Sequence, residues 1–157
     1  MTGASTLTVN GSHVDLATVP SSERLLDTLR WRLGLKGTKE GCRTGDCGAC
    51  TVLADGSSVL SCLTLSHEVA GSEITTIEGL AEEEFGARIT QAFADEGATQ
   101  CGYCTPGFVM ALASLLRERG AMDGSVEFEE DLQGNLCRCT GYVSIRRAAQ
   151  RAREALR

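Results

Sequence analysis

The sequence predicts an α+β fold in which a small unit of strands and one helix precedes an all-helical unit. Three observations support this prediction. Alternating apolar and polar residues flank two tight-turn dipeptides before residue 79, helical spacing alone continues after it, and each half holds four of the eight cysteines. We therefore place a domain boundary near Gly79, which gives domains of residues 1–78 and 79–157.

Two β-hairpins are predicted in the first half. Asn10-Gly11 and Asp55-Gly56 each lie between two alternating runs, and both dipeptides tolerate the positive φ angles of a two-residue turn. Residues 73–77 are rich in β-branched side chains, which favour a further strand.

One helix is predicted between these hairpins. Leucines at positions 25, 26, 29 and 33 fall on one face of a helix, with Ser21 or Ser22 as its N-cap and Gly34 at its end. A helix and a closing strand combined with two hairpins form a small α+β unit.

The second half shows helical periodicity only. The predicted helices cover residues 81–96, 106–119, 126–133 and 143–156, with a surface loop at 120–125. Pro106 is suited to the first turn of its helix, where the missing N–H costs nothing.

Composition excludes several classes of protein. A net charge of −6 disfavours nucleic acid or an anionic membrane as the main partner, and no apolar stretch is long enough to span a bilayer. The first nine residues lack the basic and apolar regions of a signal peptide, so the cytoplasm is the expected location. A reducing compartment keeps cysteines as thiols, and about 5% cysteine is below the level of a disulfide scaffold.

The cysteines form two sets of four, which is the natural count for two metal centres. They are Cys42, Cys47, Cys50 and Cys62 in the first half, and Cys101, Cys104, Cys137 and Cys139 in the second. The first three follow the C-x4-C-x2-C spacing of a plant-type 2Fe–2S cluster, in a glycine-rich loop that allows close backbone approach. A four-thiolate zinc site is the alternative, but zinc sites favour paired short knuckles over this arrangement.

The second set is less specific. Cys101 and Cys104 are followed by one predicted helix, and Cys137 and Cys139 by another, so both pairs are expected near helix N-termini, where N–H groups favour anions. The spacing alone leaves both zinc and iron–sulfur open here. A disulfide between Cys137 and Cys139 would be strained.

Three motifs together resemble those of the iron–sulfur small subunit of molybdenum hydroxylases, the xanthine oxidase family in its three-subunit bacterial form. They are the segments 40–53 (EGCRTGDCGACTVL), 100–108 (QCGYCTPGF) and 134–142 (GNLCRCTGY), and the resemblance covers residues 5 to 150. It implies a β-grasp ferredoxin-like domain followed by a four-helix bundle, each with one 2Fe–2S cluster held by the four cysteines of its half.

The same resemblance implies the role of the chain. A large subunit carries a molybdenum-pterin dinucleotide and hydroxylates the substrate, and a medium subunit carries FAD. This chain is then expected to pass electrons from the molybdenum site to FAD, through the helical-domain cluster and next the ferredoxin-like cluster. Gln100 and Cys139 are expected to contact the pterin. No nucleophile arrangement is visible, so no catalytic residue is expected in this chain.

Overall fold

The computed structural model describes residues 6–120 and 127–157, and it confirms the predicted α+β class. A five-stranded mixed sheet occupies the first half, and the helices of the second half pack beside it. The predicted loop at 120–125 falls almost entirely outside the described residues. Within the described part of the chain, no helix has both the length and the hydrophobicity that crossing a membrane would require.

The sheet has the strand order β2-β1-β5-β3-β4. Its strands are β1 (Thr6–Val9), β2 (Ser12–Asp15), β3 (Thr51–Ala54), β4 (Ser57–Leu60) and β5 (Glu73–Thr75). The two hairpins pair antiparallel as predicted, whereas β5 runs parallel to β1 and antiparallel to β3. Both turns use left-handed backbone, with φ of 50° at Asn10 and 49° at Asp55.

The first helix, α1 (Leu25–Asp27), continues as a wider turn over Thr28–Arg32. The prediction of Ser21 or Ser22 as its N-cap is wrong, because the residue before the helix is Arg24, which makes no side-chain cap. Neighbouring backbone satisfies the first N–H groups instead. Leu25 donates to the Thr64 carbonyl (2.8 Å) and Leu26 to that of Ser61 (3.0 Å), so no capping side chain is needed.

Two predicted boundaries near residue 80 also need correction. The strand ends at Thr75, and the predicted helix over 81–96 is instead two helices, α2 (Ile77–Glu82) and α3 (Glu84–Asp95). Glu83 has extended backbone between them. The two helices approach closely, since a Cβ at Gly86 would lie 1.9 Å from the Leu80 carbonyl oxygen.

The remaining helices are α4 (Thr105–Arg119), α5 (Phe128–Asp131) and α6 (Tyr142–Ala155). Predictions for α4 and α6 are correct to within one residue, whereas α5 is shorter than the predicted 126–133. Asp131 pairs with Arg119 at 2.7 Å and accepts a hydrogen bond from the Glu127 N–H, so it ties α5 to the end of α4.

The described residues form two large hydrophobic cores and a small third cluster of Leu26, Cys50 and Cys62. One, under the sheet, contains Leu7, Leu25, Leu29, Val52 and Ile74. The other lies among the helices and includes Phe93, Phe108, Met110, Ile145 and Ala148. Leu53 of β3 belongs to the helical core, so the sheet and the helices pack directly on each other. The division into two domains at residue 78 stays a proposal.

Candidate metal centres

The loop before β3 carries three thiols and has an unusual backbone. Positive φ angles occur at Arg43 (58°), Gly45 (88°) and Gly48 (66°), so the chain curls around the thiols instead of extending. A Cβ at Gly41 would lie 2.4 Å from the Cys47 sulfur, which shows how closely the backbone passes. The Thr44 N–H points at the Cys42 sulfur at 3.4 Å.

The second hairpin returns the fourth thiol of this set to the loop. Thr51 of β3 pairs with Leu60 of β4, and the Ser61 hydroxyl and N–H both donate to the Cys50 carbonyl. Cys62 therefore lies beside Cys50, and both side chains are buried.

Thiols of the first set interact in two pairs, Cys42 with Cys47 and Cys50 with Cys62. Hydrogen bonds from Thr44, first from its side chain and then from its backbone, lower the pKa of Cys42 to about 6. Burial raises the pKa of Cys50 to about 12. A thiol in such surroundings needs a metal cation to favour its deprotonated form.

The second set lies at two helix starts, as predicted. Cys104 directly precedes α4, and Cys139 lies three residues before α6. The Cys137 N–H donates to the Tyr142 hydroxyl (2.9 Å), which fixes this approach to α6.

In the second set the Cys104 thiol interacts most strongly with Cys137 and the Cys101 thiol with Cys139. Weaker electrostatic interactions also join Cys104 to Cys101 and Cys139 to Cys137. Burial raises the pKa of Cys104 to about 12. A hydrogen bond from the Tyr103 N–H lowers the pKa of Cys101, which is exposed.

Pairs of thiols are informative about the metal group. A structural zinc site gathers four ligands tetrahedrally around one ion. Among the residues that the structure describes, no three or more Cys, His, Asp or Glu side chains gather in that way. Two thiols at each of two points suit a group with two metal atoms and four thiolates, which is the ligand set of a 2Fe–2S cluster. The residues present therefore fit such a group.

Gln100 and Cys139, predicted to contact a pterin, lie on the same part of the surface. Both border a small cleft that also contains Cys101, Cys137 and Gly141. The Gln100 amide lies close to Gly141, since a Cβ there would be 3.3 Å from its Nε2. Gln100 is exposed, so its amide is accessible from outside the chain.

Direct contacts between the two cysteine regions were not predicted. The Leu136 N–H donates to the Cys47 carbonyl, the Asn135 amide to the Gly48 carbonyl, and the Tyr103 hydroxyl to the Glu40 carbonyl, at 3.0, 3.0 and 2.6 Å. A groove of about 500 Å³ is lined by cysteines of both sets, with Cys47 on one side and Cys101, Cys104 and Cys137 on the other. The two candidate centres are thus neighbours.

Arg43 connects the first cysteine loop to α1 through ion pairs. Its guanidinium contacts Asp27 at 2.5 Å and Glu40 at 2.8 Å, and the Arg24 guanidinium donates to its carbonyl. Glu40 and Asp27 raise the pKa of Arg43, with the Glu40 hydrogen bond the larger cause. Sequence reasoning assigned no role to Asp27, because its partner depends on how α1 packs against the loop.

Two domain families match the chain. The 2Fe-2S iron-sulfur cluster binding domain matches residues 7–83, and the 2Fe-2S binding domain matches residues 76–150. Together they cover both cysteine sets.

Similar proteins extend over nearly the whole chain. A probable xanthine dehydrogenase subunit of Bacillus subtilis is 48% identical over 96% of this chain and 85% of its own length. The nicotinate dehydrogenase small FeS subunit of Eubacterium barkeri is 43% identical over 94% and 93%. Among solved structures, quinoline 2-oxidoreductase from Pseudomonas putida 86 contains a chain that is 39% identical, with a TM-score of 0.82 over 96% of this chain and 93% of that one.

Proposed function

Because this chain belongs to the iron–sulfur small subunits of the molybdenum hydroxylases in the xanthine oxidase family, we propose that it passes electrons through two 2Fe–2S clusters from a molybdenum-pterin site to FAD. The family makes it a component of an oxidoreductase. The relatives are named for different substrates, xanthine and nicotinate among them. The partner subunit that binds the substrate therefore determines which substrate the complex uses.

The single observation that carries the proposal is the gathering of four thiols in each half, as two interacting pairs in the first half and around one small cleft in the second. We assign one cluster to the first half and one to the second, each held by the four thiols of its half. The ligands are Cys42, Cys47, Cys50 and Cys62 for the first cluster, and Cys101, Cys104, Cys137 and Cys139 for the second. Each cluster, when bound, accepts one electron at a time.

The protein supplies hydrogen-bond donors that favour an anionic group at each site. The Thr44 N–H points at Cys42, and the Tyr103 N–H interacts with Cys101. The helices α4 and α6 both begin beside the second set, so their N-terminal partial positive charge acts on these thiolates. Such hydrogen bonds, and solvent exposure, set cluster potentials.

We assign the pterin contact to Gln100 and Cys139, whose positions support it. The Gln100 amide is exposed and can both donate and accept hydrogen bonds at a pterin edge. Cys139 borders the same cleft, whose volume of about 10 Å³ is too small for a pterin, so a pterin would lie over its mouth, next to a ligand of the second cluster. This part of the surface is then the entry point for electrons.

The partners in this proposal are a large subunit with the molybdenum-pterin dinucleotide and a medium subunit with FAD. Electrons leave through the first cluster, and Thr44 and Asp46 in its loop are exposed where an FAD-bearing partner can approach. We place the three-subunit complex in the cytoplasm, and the chain itself contributes no catalytic residue.

Anaerobic purification of the native complex tests the proposal. We expect about four iron and four sulfide per copy of this chain, two distinct EPR signals after dithionite reduction, and co-purifying molybdenum and FAD. Zinc without sulfide, and no EPR signal, would leave a structural metal protein and would refute electron transfer.

A second experiment tests the assignment of Gln100. The Gln100→Ala complex should retain iron, sulfide and both EPR signals after dithionite reduction. Substrate, however, should reduce its clusters more slowly than it reduces those of wild type. The matched control is Gln133→Ala, which replaces an exposed glutamine of the same half outside this cleft. Equal rates of reduction by substrate in wild type and Gln100→Ala would refute the contact.

A further inference from the structure

One contact joins three of the four cysteine-bearing segments. Gly48 lies between Cys47 and Cys50, Gly107 lies three residues after Cys104, and Asn135 lies two residues before Cys137. The Asn135 Nδ2 donates to the Gly48 carbonyl at 3.0 Å, and this bond is buried. The backbone of Gly107 passes the same carbonyl.

This contact leaves no free space. A Cβ at Gly107 would lie 2.3 Å from the Gly48 carbonyl oxygen. A Cβ at Gly48 would lie 2.4 Å from the Asn135 Nδ2 and 2.5 Å from the Gly134 carbonyl oxygen. Backbone therefore meets backbone here, and the side chains in the contact are short and buried. They are the Asn135 amide, which is 6% exposed, and the Thr51 hydroxyl, which also donates to the Gly48 carbonyl, at 2.7 Å.

We propose that Asn135 is a positioning residue that fixes the separation of the two clusters, an inference that rests on the proposed function. Its amide links the backbone of the first cysteine loop to the segment carrying Cys137. Because every partner given for this contact is backbone or a short buried side chain, a displacement here moves the cysteine ligands on both sides. Among the described residues, no long flexible side chain lies in the contact to absorb the change.

The amide chemistry makes this role specific. Asn135→Asp would place a carboxylate oxygen, which is an acceptor, against the Gly48 carbonyl, so the hydrogen bond would become a repulsion. Asn135→Ser keeps a donor on a shorter side chain. Each variant should therefore change the spacing of the two loops by a different amount.

The test uses the purified complex, in which the dipolar splitting between the two reduced clusters is measured by EPR. This splitting falls with the inverse cube of their separation. We expect Asn135→Asp to keep its iron and sulfide but to show a splitting that differs from wild type, with Asn135→Ser closer to wild type. Full cluster content with the wild-type splitting in Asn135→Asp would overturn the proposal.

Two control variants should keep the wild-type splitting. Ser114→Ala removes another hydrogen bond between the same two halves, from the Ser58 N–H to the Ser114 hydroxyl (3.0 Å), which does not involve Gly48, Gly107 or Asn135. Gly134→Ala changes the neighbour of Asn135 at a position where a Cβ meets nothing within 4 Å. A changed splitting in both controls would show that any change between the two halves suffices, against a specific role for Asn135.

Failure of the proposed function would be visible separately. A wild-type complex without iron and sulfide refutes electron transfer before any variant is compared. If Asn135→Asp loses its clusters, the test uses Asn135→Ser instead. A splitting that differs from wild type then supports the proposal, and the wild-type splitting overturns it. Loss of clusters from Asn135→Ser as well, with both controls intact, would mean that Asn135 serves folding alone and would overturn the proposal.

Discussion

The backbone N–H of Leu136 donates a hydrogen bond to the carbonyl of Cys47 at 3.0 Å. Leu136 directly precedes Cys137, so this bond joins a residue of the first cysteine set to the immediate neighbour of one in the second. The two sets come from opposite halves of the chain, yet one hydrogen bond and one peptide bond connect Cys47 to Cys137. The interactions given for the thiols nevertheless join cysteines of the same set.

The first prediction separates the two centres. Cys42→Ser should remove the first cluster but leave the second, since Cys42 is a proposed ligand of the first cluster and its thiol interacts with Cys47 of the same set. We expect about two irons fewer per chain and the loss of one of two EPR signals. Cys104→Ser is the matched variant and should remove the other signal. Loss of both signals in Cys42→Ser would contradict independent ligand sets.

The second prediction concerns the close approach of α2 and α3. Gly86→Ala should lower the free energy of unfolding by about 3 kcal/mol, because the new methyl would meet the Leu80 carbonyl at 1.9 Å and the helices must separate. Urea unfolding followed by circular dichroism measures this effect.

Gly134→Ala is the control for that substitution. It adds the same methyl in open space, at a glycine without positive φ, so its stability should stay within about 0.5 kcal/mol of wild type. Equal effects of the two substitutions would show that packing at Gly86 is looser than the structure indicates.

Much of this fold follows from local sequence. Asn10-Gly11 and Asp55-Gly56 encode their turns, and C-x4-C-x2-C encodes a loop that wraps around its thiols. The predicted helix boundaries near residue 80 were wrong because the chain is extended at Glu83, where Gly86 packs against Leu80. Helical periodicity does not reveal this interruption between α2 and α3. The N-cap of α1 was wrong because backbone at Ser61 and Thr64 replaces a capping side chain.

The links between the two halves could not be predicted in the same way. Asn135 and Gly107 both lie in the cysteine motifs that the sequence analysis identified. Those motifs do not reveal that the partner of Asn135 is Gly48, 87 residues away. The same holds for Tyr103, whose hydroxyl reaches the Glu40 carbonyl. Such contacts depend on how the sheet and helices pack, which periodicity and spacing do not encode.

The third prediction contrasts two substitutions of Arg43. Arg43→Gln loses the ion pairs to Asp27 and Glu40 and keeps the left-handed backbone, so we expect a loss of about 1 kcal/mol. Arg43→Gly loses the same pairs but relieves a left-handed conformation that costs about 1 kcal/mol, so its stability should stay near wild type. Urea midpoints of the three proteins give the order. A glycine variant less stable than the glutamine variant would show that backbone strain at this position is negligible.

The fourth prediction is a pH dependence centred on Glu23. Its carboxylate accepts hydrogen bonds from Arg32 (2.6 and 2.7 Å) and from the Thr28 hydroxyl (2.7 Å). The hydrogen bond from Arg32 is the largest cause that lowers the pKa of Glu23, and burial opposes it. A carboxyl whose pKa is lower in the folded protein contributes stability that is complete above its unfolded pKa of about 4.3 and is lost as the pH falls through the folded value.

Glu23→Gln should therefore be less stable than wild type at neutral pH, and this difference should shrink as the pH falls below about 4.3. Urea unfolding across this range measures the difference. Glu82→Gln, at an exposed position near the end of α2, is the control and should track the wild-type curve throughout. A gap between wild type and Glu23→Gln that stays constant down to acidic pH would show that the Glu23 charge contributes nothing, and that the variant loses stability through packing or neutral hydrogen bonds alone.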